Sequence, residues 1–584
     1  MVEHFVLSAK TFAQQLVRYL PLTKWIATYQ RKTFADDLIA GIIVAILLIP
    51  QGMAYALLAG LPPQYGLYAS ILPLALYALL GSSRTLAVGP VAIASLMVNS
   101  ALSEIAFSGP EAYINAAINL SMLVGLILLG LRLLNLGSIV NFISHSVISG
   151  FTSAAALIIA ITQLKHLLGI EFPREAYVSN TLIQLMRHLP EINPWTLLIG
   201  GLSLSILWLS KGPLCHFLKA MYTPSWLQEA LCKSGPMFAV LFGSLFTFGL
   251  GESSGVNKVG FIPQGLPDLS LGVINFSLWE SLFVPAFLIA LIGYIESVSV
   301  GTALASRRRE RIDPNKELVA LGVANLGAAF SGTYPVAGGF GRSMVNFSAG
   351  AKTTIASLIS AMLVAIFLLF FTPLFYYLPK STLAAIIIMA VLPLIDLGSF
   401  RHSWRFNQGD ALTLLLTFTA VVVFGVEIGI LSGILLSITI LLYRTSQPHI
   451  AIVGRVGDSE HFRNKERHDV QTCKSILAIR IDESLYFANT RYVESFVLRH
   501  VSQQHEIKDV VLICAAINFI DASALETLEN MAHHLQNEGV TLHLSDVKGP
   551  IMDQLNKVRF REQLGDGQIF FTTDQAIKTL ERRD

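Results

Sequence analysis

The chain has 584 residues, 53% of them hydrophobic and only 14% charged, with a formal net charge of +2. Those proportions exclude an ordinary soluble enzyme, whose charged fraction is about 25%, and the near-neutral balance gives no bias toward nucleic acid. The averages hide a division: 44 of residues 1–445 are Lys, Arg, Asp or Glu, against 36 of the 139 residues 446–584.

Taken in chain order, residues 1–34 carry Lys10, Arg18, Lys24, Arg31 and Lys32 without an unbroken apolar core, so they read as a cytoplasmic segment and not as a secretory signal. A transmembrane transport domain is expected over 35–445. Its apolar segments fall at 35–57, 66–81, 88–106, 112–131, 138–162, 194–209, 235–250, 278–304, 317–331, 338–349, 353–376, 382–395, 410–426 and 428–443. Fourteen spans follow, several shorter than the roughly 20 residues a perpendicular helix needs. The loop charges agree with that count: Arg307-Arg308-Arg309-Glu310-Arg311 follows the eighth span, Lys211, Lys219 and Lys233 the sixth, and Arg401 and Arg405 the twelfth. Lys258 is the only basic residue in the loop 251–276 after the seventh. The positive-inside rule then places both termini in the cytoplasm of a cell (inner) membrane protein. The four cysteines, Cys215, Cys232, Cys473 and Cys514, show no CxxC spacing and read as packing residues, not metal ligands or disulfides.

Pro90-Val91-Ala92 recurs as Pro335-Val336-Ala337 at an offset of 245, which also maps Gln51 onto Glu296 and, one residue out, Gly81 onto Gly327. With seven spans in each copy, about 35–250 and 278–445, the second copy is inverted in the membrane. The short spans near the two prolines read as broken helices. A half-helix starting inside the bilayer exposes backbone N–H groups and about half a positive charge, and lipid offers them no partner. An anion does. The alternative is that both prolines only kink or start packed helices.

Arg342 lies in Tyr334-Pro-Val-Ala-Gly-Gly-Phe-Gly-Arg-Ser343, and an arginine at mid-membrane costs about 2.5 to 3.5 kcal/mol or more without a partner. That partner is either the substrate, held by the guanidinium fork, or Glu296 as a permanent pair. Glu296 is the only acidic residue deep in the eighth span. Set between burial and a nearby guanidinium, it suits the loading and release of a coupling proton; a helix-packing hydrogen bond is the other reading. Gly350-Ala-Lys-Thr353 looks like the end of a phosphate loop, but Ala351 and Asn346 stand where that loop needs glycines.

These residues are also familiar as a set. Ile49-Pro-Gln-Gly-Met-Ala-Tyr-Ala56, Gly60-Leu-Pro-Pro63, Gly66-Leu-Tyr-Ala-Ser70, Gly81-Ser-Ser-Arg84, Val88-Gly-Pro-Val-Ala92 and Gly338-Gly-Phe-Gly-Arg-Ser-Met-Val-Asn346 resemble motifs of the sulfate permease (SulP) family of anion transporters. The resemblance implies a polytopic α-helical fold of seven plus seven spans, with a core (spans 1–4 and 8–11) that moves as an elevator against a gate (spans 5–7 and 12–14), in a homodimer. It also implies an anion site lined by Gln51 and Tyr55 from the first span, Val91 and Ala92 from the third, and Phe340, Gly341, Arg342 and Ser343 from the tenth. Glu296 matches the family's eighth-span acid, taken as the proton-coupling residue; an aspartate there implies sodium. Many relatives have serine where this chain has Gly341, which leaves substrate preference open.

Residues 446–584 read as a separate domain in which 449–582 alternate β-rich runs (475–481, 510–514, 540–544) with helical patterns near 490–504, 523–538 and 549–557, an α/β ordering. Phe519-Ile-Asp-Ala-Ser-Ala-Leu525 resembles the strand-to-helix turn of STAS domains. The serine phosphorylated in signalling relatives is Ala522 here, and Ser523 is left as a helix cap. A role in dimer contact, folding or regulation follows, without catalysis or a cofactor. The function expected is proton-coupled uptake of an oxyanion, sulfate first, with bicarbonate or a dicarboxylate next, and an uncoupled channel or exchanger as the alternative class. Nucleobase permeation on the same fold calls for a tenth-span carboxylate, where this chain has Arg342.

Overall fold

A computed structural model describes residues 29–582 apart from 104, 106, 108, 139–142, 173–177, 222–230 and 270–273. Most of the expected N-terminal segment, 1–28, lies outside the described residues, as do the side chains of Cys215 and Lys219. The chain divides into two compact units, Met1–Leu435 and Leu436–Asp584.

The first unit is built from helices α1 (Arg31–Leu58), α2 (Leu72–Leu80), α3 (Ala92–Ser103), α4 (Pro110–Leu133), α5 (His145–Leu168), α6 (Pro194–Lys211), α7 (Gly235–Leu250), α8 (Phe276–Arg307), α9 (Pro314–Phe330), α10 (Phe340–Ser348), α11 (Ile355–Phe370), α12 (Lys380–Val391), α13 (Gln408–Phe424) and the start of α14 (Val426–Ser446). Two-residue strands β1 (Val88–Gly89) and β2 (Ala337–Gly338) precede α3 and α10. Among the described residues six helices are long and apolar enough to cross a membrane: α1, α4, α5, α8, α14 and the stretch Lys380–Phe406 that opens with α12. Length and composition thus give six spans, short of the fourteen expected, because α2, α3 and α10 are short and α7, α11 and α13 have only 16, 16 and 17 residues.

The helices pack in two groups. In one, α9 lies along α4 and α2, α8 along α4, and α11 along α1. In the other, α5 lies along α12 and α13, and α6 along α7 and α12. Small residues let backbones approach in the first group: a Cβ on Gly125 of α4 would stand 2.9 Å from the carbonyl oxygen of Gly322 on α9. In lipid, where apolar surface alone does not drive helices together, such close packing supplies much of the attraction.

Two buried acids brace this group. Glu317 on α9, fully buried, accepts hydrogen bonds from the Tyr77 hydroxyl (2.8 Å) and from the Ser82 amide (2.8 Å) and hydroxyl (2.7 Å), tying α9 to the end of α2. Asp37 on α1, also fully buried, accepts from the amides of Lys352 (2.6 Å) and Thr353 (3.0 Å) and from the Thr353 hydroxyl (2.6 Å). The loop between α10 and α11 is thereby fixed to the first helix. Cys232 is disulfide-bonded, whereas Cys473 and Cys514 are free thiols. Reading all four cysteines as packing residues is corrected for Cys232, because sequence spacing carries no information on the Cβ separation that a disulfide needs.

The second unit holds a six-stranded sheet in the order β4-β3-β5-β6-β7-β8, formed by β3 (Ile450–Arg455), β4 (Phe462–Asn464), β5 (Ile476–Ile481), β6 (Asp509–Ile513), β7 (Thr541–Ser545) and β8 (Ile569–Phe570). From β5 to β8 the strands run parallel, and β3 is antiparallel to both of its neighbours. Helices α15 (Thr490–Gln503), α16 (Ala522–Asn537) and α17 (Gly549–Lys557) cover one face, and α18 (Thr573–Glu581) packs on the other. Hydrogen bonds from Lys578 and Arg455 hold the Asp574 carboxyl below its usual range. The cap of α16 is Asp521, whose Oδ1 accepts from the Ala524 amide at 2.8 Å and Oδ2 from the Phe487 amide at 2.9 Å. Ser523, expected as the cap, sits inside the first turn, since the aspartate two residues earlier already holds the free amide.

Removing the Glu317 carboxylate leaves the buried Tyr77 hydroxyl and the part-buried Ser82 amide and hydroxyl without their acceptor. Glu317→Ala is expected to cost about 2–4 kcal/mol, seen as a lowered melting temperature of the detergent-solubilised protein, and Tyr77→Phe, which loses one bond, a smaller drop.

Candidate functional site

The two interrupted helices meet in a buried crossing. β1 and β2 pair antiparallel, with Val88 opposite Gly338 and Gly89 opposite Ala337. Pro90 follows β1 at once and lacks an N–H, so the ladder stops and α3 begins two residues later. On the other side β2 separates Pro335 from the start of α10 at Phe340. The helix starts Ala92 and Phe340 stand 248 residues apart, so the Pro-Val-Ala match at offset 245 is out of structural register by three. α10 has no side-chain cap, and its first internal hydrogen bond is that of the Ser343 amide to Gly339. The amides of residues 340–342 are therefore available to a ligand.

Arg342 is 3% exposed, and its guanidinium lies against the backbone of the crossing. A Cβ on Gly89 would stand 2.8 Å from Nη1, and one on Gly339 would stand 3.0 Å from Nη2. Both nitrogens are buried without a hydrogen-bond partner, and so is Oε2 of Glu296. The permanent Arg342–Glu296 pair, one of the two readings open from sequence, is not formed here. A cavity of about 700 Å³ lies between the two helix groups and is lined by both residues together with Gln51, Tyr55, Val91, Ala92, Phe340 and Gly341. The space is large enough for a small oxyanion with water. A Cβ on Gly341 would meet open space, so the side chain missing there leaves room in the pocket.

Eight of the nine residues singled out from sequence thus line one cavity. Ser343 does not. It is fully buried, and its hydroxyl accepts a hydrogen bond from the Ala87 amide at 3.0 Å, fastening α10 to β1. One helical step from Arg342 turns it away from the cavity and into the crossing. From the opposite group the cavity receives His145, Lys211, Lys233 and Asp396, which the sequence reading did not assign to the site. Lys211 donates to the Met389 carbonyl at 2.7 Å, and Lys233 to the Ser348 hydroxyl. The basic loop after the sixth apolar segment was the signal that pointed to them.

A family model described as the sulfate permease family matches residues 34–417, and a STAS domain model matches residues 467–576. The chain is 36% identical to sulfate transporter 4.1, chloroplastic, of Arabidopsis thaliana, over 98% of this chain and 84% of that protein. It is 34% identical to sulfate transporter 3.1 of the same plant, over 98% and 88%. Among solved structures, it resembles murine solute carrier 26 family member A9, described as an anion transporter in the inward-facing state. That likeness has a TM-score of 0.89 at 22% identity, over 97% of this chain and 95% of that one. It also resembles the transmembrane domain of a cyanobacterium bicarbonate transporter, BicA, with a TM-score of 0.59 at 23% identity over 70% and 98%.

Gly339 has an ordinary extended backbone, with φ at −94°, so a methyl there acts only through space. Gly339→Ala is expected to push the guanidinium aside and weaken anion binding about threefold to tenfold, with the melting temperature little changed. Titration of purified protein with sulfate checks both quantities.

Proposed function

The chain belongs to the sulfate permease family, and from that premise we propose that it is a secondary active transporter of a small anion, with sulfate as the leading substrate. One observation carries the reading: the buried guanidinium fork of Arg342 lacks a protein partner and stands between two helix starts in a cavity. A doubly charged tetrahedral oxyanion offers that fork two acceptor oxygens and has others left for the amides of residues 340–342. The relatives named sulfate transporters favour sulfate over bicarbonate or a dicarboxylate.

In this reading the membrane part, about residues 35–445, crosses the bilayer fourteen times as two inverted copies of seven. The group around α1–α4 and α8–α11 is the moving core, and the group around α5–α7 and α12–α14 is the gate. The cavity lies between them, as an elevator requires. Its Lys211, Lys233 and Asp396 end faces the cytoplasm, along with both termini in the cell (inner) membrane. Gln51, Tyr55, Val91, Ala92, Phe340, Gly341 and Arg342 form the anion site. Glu296, next to the anion and without a permanent partner, takes up and releases the coupling proton. Assembly as a homodimer and a regulatory or assembly role for the STAS unit belong to the same reading.

Purified protein in liposomes, given labelled sulfate, bicarbonate or a dicarboxylate under imposed pH or sodium gradients, tests it. Saturable sulfate uptake driven by an inward proton gradient is expected. Arg342→Ala should lower it about 30-fold or more, as truncating one member of a buried charge pair does. Glu296→Gln should lose gradient-driven accumulation yet keep sulfate exchange; full proton-driven accumulation by that variant would rule out the coupling role and leave a channel or exchanger.

A further inference from the structure

We propose that Asn325 is a positioning residue for the anion site: with Ser297 it supplies the outer edge of the β1–β2 crossing and so fixes where Arg342 stands. The proposal rests on the anion-site reading above. In an antiparallel pair, successive residues direct their N–H and C=O groups to alternate edges. The Gly339 amide donates to the Ala87 carbonyl at 3.2 Å, so residues 337 and 339 face β1, and residues 336 and 338 face away from it. In a sheet a third strand would meet that outer edge. Among the described residues no third strand pairs with it, and lipid offers no water in its place.

Two side chains close the edge instead. Asn325 on α9 is 1% exposed; its Oδ1 accepts from the Val336 amide and its Nδ2 donates to the Val336 carbonyl, both at 3.0 Å. The second Nδ2 hydrogen goes to the Leu321 carbonyl at 2.9 Å, which anchors the carboxamide to its own helix. Ser297 on α8 is fully buried, and its hydroxyl accepts from the Gly338 amide at 2.8 Å while donating to the Gly293 carbonyl. A carboxamide presents one donor and one acceptor side by side, as a peptide group does. Asparagine at this reach therefore imitates one residue of the missing strand.

Neither residue lines the cavity. Their effect on the anion runs through the strand: the Arg342 guanidinium rests against Gly89 and Gly339, one on β1 and the other immediately after β2. A strand released at residues 336 and 338 lets that rest shift.

The test measures sulfate binding by the full-length purified protein and sulfate uptake in liposomes, for the wild type, Asn325→Ala, Ser297→Ala, the double variant and Arg342→Ala. Ser297→Ala should raise Kd and KM about threefold to tenfold and Asn325→Ala about tenfold or more, the worth of one and of two hydrogen bonds. Maximal rate per folded protein should change far less. The double variant should lose less than the product of the two, since both hold one strand. A wild-type Kd and KM in the folded variants, or a fall in maximal rate at unchanged KM, overturns the positioning role. Ser297→Ala removes a single oxygen and keeps the test decisive if Asn325→Ala does not fold. Arg342→Ala separates the two ideas: normal sulfate binding there defeats the anion-site reading, whereas loss of binding there with normal Asn325 and Ser297 variants defeats the positioning role alone.

Discussion

The constraint on which this structure depends is that backbone polar groups inside a bilayer must find partners within the protein or its ligand. Continuous helices meet it automatically. This chain breaks two of them, before α3 and before α10, and the unpaired groups released there account for most of the geometry of the crossing. β1 and β2 satisfy part of one another, Ser343 and Asn346 reach back from α10 to the Ala87 amide and the Thr85 carbonyl, and Asn325 and Ser297 take the outer edge of β2. What is left over is the set of amides at the helix starts and the Arg342 fork.

The remainder borders the cavity with amides and a guanidinium, and the proposed function assigns the anion to it. The cavity also lies between the two helix groups. One group carries α1, α3, α8 and α10, and the other presents α5, α6 and α12 across the cavity. The braces at Glu317 and Asp37 lie wholly within the first group, so they keep the site's own scaffold intact without tying it to the second. Under the proposed elevator reading, these braces would let the site travel with one group against the other.

Much of this was legible in the sequence. The rise in charge near Arg444 separates lipid-facing from water-facing composition, although packing divides the chain between Leu435 and Leu436, inside α14, few of whose residues are buried. Composition records the solvent and contacts record neighbours, so the two boundaries need not coincide. Arg342 and Glu296 stand out because charge is costly in apolar segments. Ser343 was misplaced because motif spacing does not say which way a side chain turns on a nine-residue helix. The three-residue slip of the Pro-Val-Ala match arises because Pro335 precedes a strand while Pro90 follows one. Ser297, Asp37 and Glu317 gave little sign, since their bonds join residues 41 to 316 positions apart, and Asn325, bonded 11 residues on, depends on how the chain turns back after α9.

The central claim is that an anion occupies the crossing between α3 and α10. Anomalous diffraction from crystals grown with selenate, a heavier analogue of sulfate, measures that directly. The account predicts a selenium peak in the cavity with oxygens about 3 Å from Arg342 Nη1 or Nη2 and from the amides that open α10. Selenate bound elsewhere, with the Arg342 fork closed on Glu296, would contradict it.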